Sequence, residues 1–171
     1  MSTDRTAPPV GSAFLLTQLG TFAATAFGER VARLDLTPPQ TGLLRLVALG
    51  PGRSQQELAR QLGTPPTRLV ALVDGLEERG LLERRRNPQD RRLHAVHLGP
   101  AGEKLMGEIR TVAREHEDAV LAALDDDERA QLRDLLGRLA ADHGLVDGVH
   151  PGYRTLGAEE KGRTPGRADA G

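Results

Sequence analysis

The sequence predicts a mainly α-helical fold with one small antiparallel β wing, on three observations. Aliphatic residues recur at steps of three and four along six segments, which is the period of an α-helix. Aromatic residues make up only 2% of the chain, whereas a β-sandwich would need alternating Val, Ile, Tyr and Thr. Only one stretch, near residue 90, has the pattern of two short strands around a turn.

Composition limits the class of protein. The 171 residues suffice for one domain with a core and tails. The absence of cysteine excludes disulfides, thiolate metal sites and thiol-based redox sensing. No run approaches the roughly 18 apolar residues that a membrane span requires, and residues 1–9 lack the apolar core of a signal peptide. We therefore expect a soluble, cytoplasmic protein.

The first helix is expected from about Ser12 to Leu34. Leu15, Leu19, Phe22 and Ala26 recur at steps of four, three and four and so lie on one face of a helix. A neighbouring line of apolar residues widens this stripe, which could therefore pack on two partners at once.

Start and stop signals define the next two helices. Thr37-Pro38-Pro39-Gln40 predicts a capping box with proline in the first turn of helix 2. Gly50-Pro51-Gly52 ends that helix. Ser54-Gln55-Gln56-Glu57 predicts a second capping box at the start of a short helix 3, and Gly63 ends it.

Helix 4 and a β-hairpin follow. Thr64-Pro65 predicts the start of helix 4, with Thr64 as the cap and proline after it. Gly80 stands where a left-handed residue is wanted after the helix. Strands at Leu82–Arg86 and Leu93–Leu98 flank Asn87-Pro88-Gln89-Asp90, which is strong turn chemistry.

Two more helices and two tails complete the chain. Pro100 opens helix 5, and Asp125–Glu128 places acidic residues at the start of helix 6, where the helix dipole favours them. Residues 1–11 are polar and contain proline, and from Gly144 onward the chain is rich in glycine without periodicity. We expect both ends to be disordered.

The order helix, helix, turn, helix, hairpin is that of a winged helix-turn-helix, in which the second helix of the motif enters the major groove of DNA. Within this order the chain closely resembles the MarR family of bacterial transcriptional regulators. The resemblance is carried by four segments: Leu58–Gly63, Leu72–Leu82, Arg84–Arg92 and Leu98–Gly102. Asp90-Arg91-Arg92 followed by a strand that ends at Leu98 matches the family's wing pattern.

The resemblance implies one MarR-type domain between two tails. The domain is expected at 12–142, with the winged head at 35–99 and the dimerisation helices at 12–34 and 100–142. Residues 1–11 are expected to form a disordered N-terminus, and 143–171 a flexible C-terminal tail. Two single positions and one segment depart from the family pattern. Gly99 stands where Thr is usual, Gly75 replaces a frequent basic residue, and Pro65–Arg68 replaces a start rich in Ser and Thr. The operator sequence therefore cannot be carried over from relatives.

Charge is divided between two blocks, although the net charge of the chain is −1. The block from Arg53 to Arg92 holds nine arginines and six acidic residues and is therefore +3, whereas the block from Pro100 to Asp142 holds six basic and eleven acidic residues and is −5. Arginine can fork onto phosphate or guanine. This division is typical of a DNA-reading lobe joined to another lobe, although ordinary surface charge would also explain it.

Helix 4 and the wing are expected to contact DNA. The candidate residues are Thr67, Arg68, Ala71, Arg84, Arg86, Asp90, Arg91 and Arg92. Arg68 could contact a guanine edge or clamp a phosphate. The resemblance implies that Arg92 enters the minor groove with Asp90 paired to it, but Arg91 could share this role and Asp90 could be only a turn former. Arg84 and Arg86 alternate with Arg85, so only one face of that strand can point at DNA.

The outer helices are expected to form a homodimer and a ligand pocket. Candidate dimer residues are Leu15, Leu19, Leu132, Leu135 and Leu139. Many family members bind a small aromatic or anionic effector between the dimer helices and the head, and the candidate lining residues are Phe14, Phe22, Phe27 and His116. For the dimer residues the alternative is packing within one chain, and for the pocket residues it is an ordinary core or interface position.

Other functions have weaker support. The five histidines lack ligand spacing, which argues against a metal site. No Gly-rich phosphate loop with a Gly-Lys-Ser or Gly-Lys-Thr ending is present, and we expect neither an enzyme nor a cofactor. The sequence thus predicts a dimeric, sequence-specific DNA-binding regulator, and the resemblance favours a repressor. The alternative is a winged-helix module that binds proteins without specific DNA binding.

Overall fold

The computed structural model describes residues 10–86, 94–146, 148–150 and 153. Its helices are α1 (Ser12–Ala32), α2 (Pro38–Leu49), α3 (Gln55–Leu62), α4 (Pro66–Glu78), α5 (Pro100–Val120) and α6 (Asp126–Asp142). Its strands are β1 (Arg53–Ser54), β2 (Leu82–Arg86) and β3 (His94–Leu98). The predicted fold class, mainly α with a small antiparallel sheet, is confirmed. Over the described ranges, no helix is both long and apolar enough to cross a membrane.

Both predicted capping boxes are present. The Thr37 amide donates to Gln40 Oε1 at 2.9 Å, and the Gln40 amide donates back to Thr37 Oγ1 at 3.4 Å. Ser54 and Glu57 form the same reciprocal pair at the start of α3. Each cap satisfies amides that the helix itself cannot, and such caps stabilise a helix by about 1 kcal/mol. Local side-chain chemistry therefore sets where these helices begin.

The start of α4 differs from the prediction. The N-cap is Pro65, and the Thr64 hydroxyl is buried without a hydrogen-bond partner among the described residues. The expectation that Thr64 caps this helix was wrong. The reason is the second proline: a residue before proline avoids the helical region, so Pro65 stays extended with ψ 139° and the helix begins at Pro66.

A third strand completes the sheet. β1 pairs antiparallel with β3, with Arg53 opposite Val96 and Ser54 opposite Ala95. β2 pairs with the other edge of β3, from Leu82 opposite Leu98 to Arg86 opposite His94, so the strand order is β1-β3-β2. The sequence predicted the hairpin, but β1 has only two residues and shows no alternation.

The core lies where α2, α3, α4 and the sheet meet, with α1 and α5 covering one side. Its fully buried side chains are Val31, Leu43, Leu44, Val47, Leu58, Leu69, Val73, Leu76, Leu82 and Val96. Tyr153 also belongs to this core and is only 4% exposed. The expectation of a disordered chain from Gly144 onward is therefore wrong at Tyr153, whose contacts are given below.

Candidate nucleic-acid interface

The turn between α3 and α4 fixes how α4 is presented. Gly63 adopts the left-handed conformation, with φ 63° and ψ 28°, which glycine tolerates without strain. The Gly63 and Thr64 amides return to the carbonyls of Arg60 and Ala59, so the end of α3 is satisfied internally. The chain then leaves α3 abruptly and starts α4 at the surface of the head.

One face of α4 is buried and the opposite face is open. Leu69, Val73 and Leu76 are fully buried, whereas Thr67 and Ala71 are exposed. The predicted reading residues thus lie on the solvent face. Val70 lies on this face as well, with 41% of its surface exposed. A face of small, uncharged side chains lets a helix approach base edges and thymine methyl groups closely.

Val70 was missed by the sequence reasoning. It is apolar and sits beside the buried Leu69, so it does not stand out in a hydrophobic pattern. Its step of three from Thr67 was the signal that could have found it, because residues three apart share a helix face.

Arg68 is half-buried at the edge of the open face. Within the part of the chain that the structure describes, its guanidinium forms no ion pair. An arginine without a carboxylate partner keeps all its donors for an external anion. The geometry is compatible with a base contact and with a phosphate contact.

Arg84 has a different environment from the other candidate arginines. It forms ion pairs with Asp74 and Glu77 of α4, and its Nε donates to Gln55 Oε1 at 3.3 Å. The Arg84 backbone amide also donates to Glu77 Oε1 at 2.8 Å. Burial alone lowers the pKa of Arg84, but the hydrogen bonds with Asp74 and Glu77 raise that pKa above its ordinary value. The charged guanidinium thus joins strand β2 to helix α4.

The other wing arginines are more open. Arg85 is exposed and pairs with Glu83 of its own strand. Arg86 is exposed and forms no ion pair with any residue in the described ranges. The predicted contacts Asp90, Arg91 and Arg92 lie outside the described residues.

A cavity of about 700 Å³ lies between the head and the outer helices. Phe27 of α1, Ile109 and His116 of α5, and Arg45 of α2 contribute to its lining. The Phe27 and His116 rings are 5.3 Å apart, and His116 Nδ1 is buried without a hydrogen-bond partner among the described residues. Burial, followed by the charge of Arg30, lowers the pKa of His116. The cavity therefore offers an apolar surface together with an unsatisfied polar atom.

Two of the predicted pocket residues lie elsewhere. Phe14 and Phe22 are 58% and 60% exposed on α1 and do not line the cavity. Phe14 is 13 residues before Phe27, which separates them by about 20 Å along a helix. The single chain thus brings Phe27 and His116 together at the cavity, but not the other two.

The first half of α1 is exposed on all sides. Every residue from Ser12 to Phe22 is exposed, and no charged residue occurs before Glu29 in this helix. Leu15 and Leu19, both expected at a dimer interface, are 45% and 56% exposed. On α6, Leu135 and Leu139 are 46% and 48% exposed, and Leu132 is half-buried. The candidate dimer residues therefore form apolar surface that the single chain does not cover.

Known proteins share this architecture. Residues 34–93 match a sequence model of the MarR family. A putative transcriptional regulatory protein for the hcr operon of Thauera aromatica is 36% identical over 104 residues, or 61% of this chain. The chain spans 63% of the length of that relative.

Solved structures extend the match along the chain. A transcriptional repressor, CouR, bound to a 23-mer DNA duplex is 34% identical and superposes with a TM-score of 0.68, covering 76% of this chain and 92% of its own. Apo MarR from E. coli is 22% identical, has the same TM-score of 0.68 and covers 78% of this chain and 98% of its own, which shows the shared fold. The open face of α4, the adjacent wing and these matches together establish that the chain belongs to the MarR family of transcriptional regulators, which are not enzymes.

Proposed function

We propose that the protein is a transcriptional repressor that binds a pseudo-palindromic operator as a homodimer and is released by a small aromatic or anionic effector. The observation that carries this proposal is the open face of α4. Arg68 and Arg86 of the same head form no ion pair within the described residues, and the outer helices α1 and α6 expose apolar surface. The repressor CouR, whose structure contains a DNA duplex, is 34% identical to this chain. This likeness supports the same partner here.

We assign direct readout to α4 and the minor groove to the wing. Thr67, Val70 and Ala71 would face the bases, and Arg68 would contact either a guanine or a phosphate beside them. At the wing, Arg86 would contact the DNA backbone, while Arg91 and Arg92 remain the candidates for the minor groove, with Asp90 as the candidate partner of Arg92.

Arg84 receives a positioning role in this proposal instead of a DNA contact. Its donors are engaged by Asp74, Glu77 and Gln55. A charge neutralised by two carboxylates attracts phosphate weakly, whereas the same bonds fix the angle between the wing and α4.

The homodimer follows from the uncovered face of α1. α1 has no charged residue before Glu29, and its exposed leucine and phenylalanine side chains form apolar surface. Monomers seldom expose apolar patches larger than a few hundred Å². The hydroxyls of Thr17, Thr21 and Thr25 donate to carbonyls one turn earlier, at 2.9–3.1 Å, so burying them in an interface would strand no donor. A second copy that pairs through the segments 12–34 and 100–142, which contain α1, α5 and α6, would hold two heads, each at 35–99, about one helical turn of DNA apart.

The cavity supports an aromatic anion as the effector. Phe27 and Ile109 would cover a ring, and Arg45 and Arg110 at the lining would attract a carboxylate, with Glu117 of the same lining offsetting part of their positive charge. His116 Nδ1 would gain a hydrogen-bond partner, which none of the described residues supplies. Because the cavity joins the head to α1 and α5, a ligand there would bias the spacing of the two heads.

The test is fluorescence anisotropy with the DNA upstream of the protein's own gene, against scrambled DNA, at two salt concentrations. The proposal requires competitor-resistant binding of two protomers per site that weakens steeply with salt. Equal binding to both DNAs at every salt concentration would reject sequence-specific readout. Absence of binding at low salt would reject the DNA function and favour a protein-binding module.

A further inference from the structure

The chain turns back onto the head after α6. Gly144 adopts a left-handed φ of 63°, and the Leu145 amide donates to the Ala140 carbonyl at 2.9 Å, which ends the helix and reverses the chain. The described residues after this point are Leu145, Val146, 148–150 and Tyr153, and together we call them the arm. Val149 packs against the core, so the arm lies on the head.

Tyr153 enters a notch in α2 that is left by a missing side chain. Its hydroxyl donates to the Pro39 carbonyl oxygen at 2.5 Å. A Cβ on Gly42 would overlap that hydroxyl and would lie 3.0 Å from Tyr153 Cζ. Glycine inside a helix costs about 1 kcal/mol relative to alanine. The close approach of Tyr153 gives a physical reason for Gly42 in the middle of α2.

The arm forms one side of the cavity between the head and the outer helices. Gly148, His150 and Tyr153 line the same cavity as Phe27 and His116. A ligand in this cavity would touch the arm directly. Loss of the arm would open that side to water and remove part of the apolar surface that a ring needs.

We propose that the arm is a wall of the effector cavity, held in place by Tyr153 in the Gly42 notch, and that its docking sets the affinity of the cavity for aryl anions. The affinity part of this inference rests on the effector role proposed above. Binding and docking are reciprocal: a ligand that contacts the docked arm favours docking by the same factor by which docking favours the ligand.

Docking can be measured without any ligand. The chain has one tyrosine and no tryptophan, so its intrinsic fluorescence reports Tyr153 alone. We expect acrylamide, a neutral quencher, to quench the full-length protein weakly and the Gly42→Ala variant strongly. Gly75→Ala is the matched control, because it makes the same change within a helix and meets no atom within 4 Å. It should remain as protected as the wild type.

Affinity is measured by calorimetric titration with 2-naphthoate, a fused ring with one carboxylate. We expect Gly42→Ala and Tyr153→Ala each to weaken binding by about tenfold, as loss of a central contact does. The double variant should bind no more weakly than either single variant, because both substitutions break the same contact. Gly75→Ala should bind like the wild type.

The possible failures are distinguishable. Equal quenching of the wild type and Gly42→Ala would overturn docking in the notch. A protected Tyr153 with equal 2-naphthoate affinity in the wild type, Gly42→Ala and Tyr153→Ala would overturn the role of the arm as a cavity wall. Absence of 2-naphthoate binding by the wild type would reject the affinity part together with the proposed effector chemistry, while quenching would still decide whether the arm docks.

Discussion

Replacing Arg84 with methionine tests whether this side chain contacts DNA or acts as a brace, that is, holds strand β2 against helix α4. Methionine keeps the unbranched apolar stem, so packing is largely preserved while the guanidinium is lost. The substitution removes both ion pairs and the bond to Gln55, but the backbone amide of residue 84 can still donate to Glu77. Any effect on stability therefore reports the side-chain network.

The expected loss follows from the exposure of the partners. The Arg84 side chain is 19% exposed, against 36% for Glu77 and 51% for Asp74. Hydrogen bonds to charged groups contribute about 1.5–3 kcal/mol when shielded, and exposed ion pairs contribute about 0–1 kcal/mol. We count the Glu77 pair at the low end of the first range and the Asp74 pair as an exposed pair. Together they predict that the free energy of unfolding falls by ~2 kcal/mol. The melting temperature should fall by ~4–8 °C.

Two measurements test this reasoning. Urea unfolding followed by circular dichroism gives the loss of stability, with an unchanged m-value if the denatured state is unaffected. The slope of log K for DNA binding against log salt concentration gives the number of phosphate contacts. Loss of a brace leaves this slope unchanged, whereas loss of one phosphate contact reduces its magnitude by about 0.9. Arg86→Met is the control. Loss of this exposed arginine should reduce the magnitude of the slope, while stability changes by no more than about 0.5 kcal/mol. A reduced slope with unchanged stability for Arg84→Met would refute the brace.

Three further predictions concern the N-cap of α5, the dimer and the cavity. Gly99→Thr restores the residue usual in the family, but its Cβ would overlap the Gly80 carbonyl oxygen. Calorimetric unfolding should show a loss of stability of ~1–3 kcal/mol, and a gain would contradict this close approach. Leu19→Glu places a charge on the uncovered face of α1. Sedimentation should show the dimer dissociating at about tenfold higher protein concentration, with the fold intact by circular dichroism. An unchanged dimer would exclude this face from the interface. The lowered pKa of His116 means that the unfolded chain binds its proton more readily; stability should therefore fall as pH drops through about 6.5, and His116→Gln should flatten this dependence in urea titrations.

Local chemistry explains what the sequence could predict. The capping boxes at Thr37 and Ser54 and the left-handed glycines at 63 and 80 each depend on residues within a few positions of one another. The hairpin likewise was predicted from the turn residues Asn87-Pro88-Gln89-Asp90 between two short strands. Where a structural feature is decided within one helix turn, the residues that decide it are adjacent in the sequence and can be identified there.

The parts that the sequence did not predict depend on distant partners. β1 is too short to show a pattern and is a strand only because β3 supplies its hydrogen bonds. The brace at Arg84 requires α4 to lie beside β2, so one arginine among three consecutive ones acquires carboxylate partners that spacing does not reveal. The same basic run therefore contains an internal contact and candidate external contacts, and only the fold distinguishes them.

Gly42 and Tyr153 show how such a contact can still leave a trace. They are far apart in the chain, and neither is explained by its neighbours in the sequence. Gly42 is a glycine within a helix, where it lowers helix stability relative to alanine, and Tyr153 is a single tyrosine in a tail rich in glycine. Their meeting resolves both anomalies, because the missing side chain admits the ring and the ring fills the gap. The contact also places the arm at the cavity instead of elsewhere on the surface. The close packing of a distant segment thus explains glycine at position 42, whereas no atom lies within 4 Å of a Cβ at Gly75. Here that segment borders the site at which ligand binding would be communicated to the DNA-reading head.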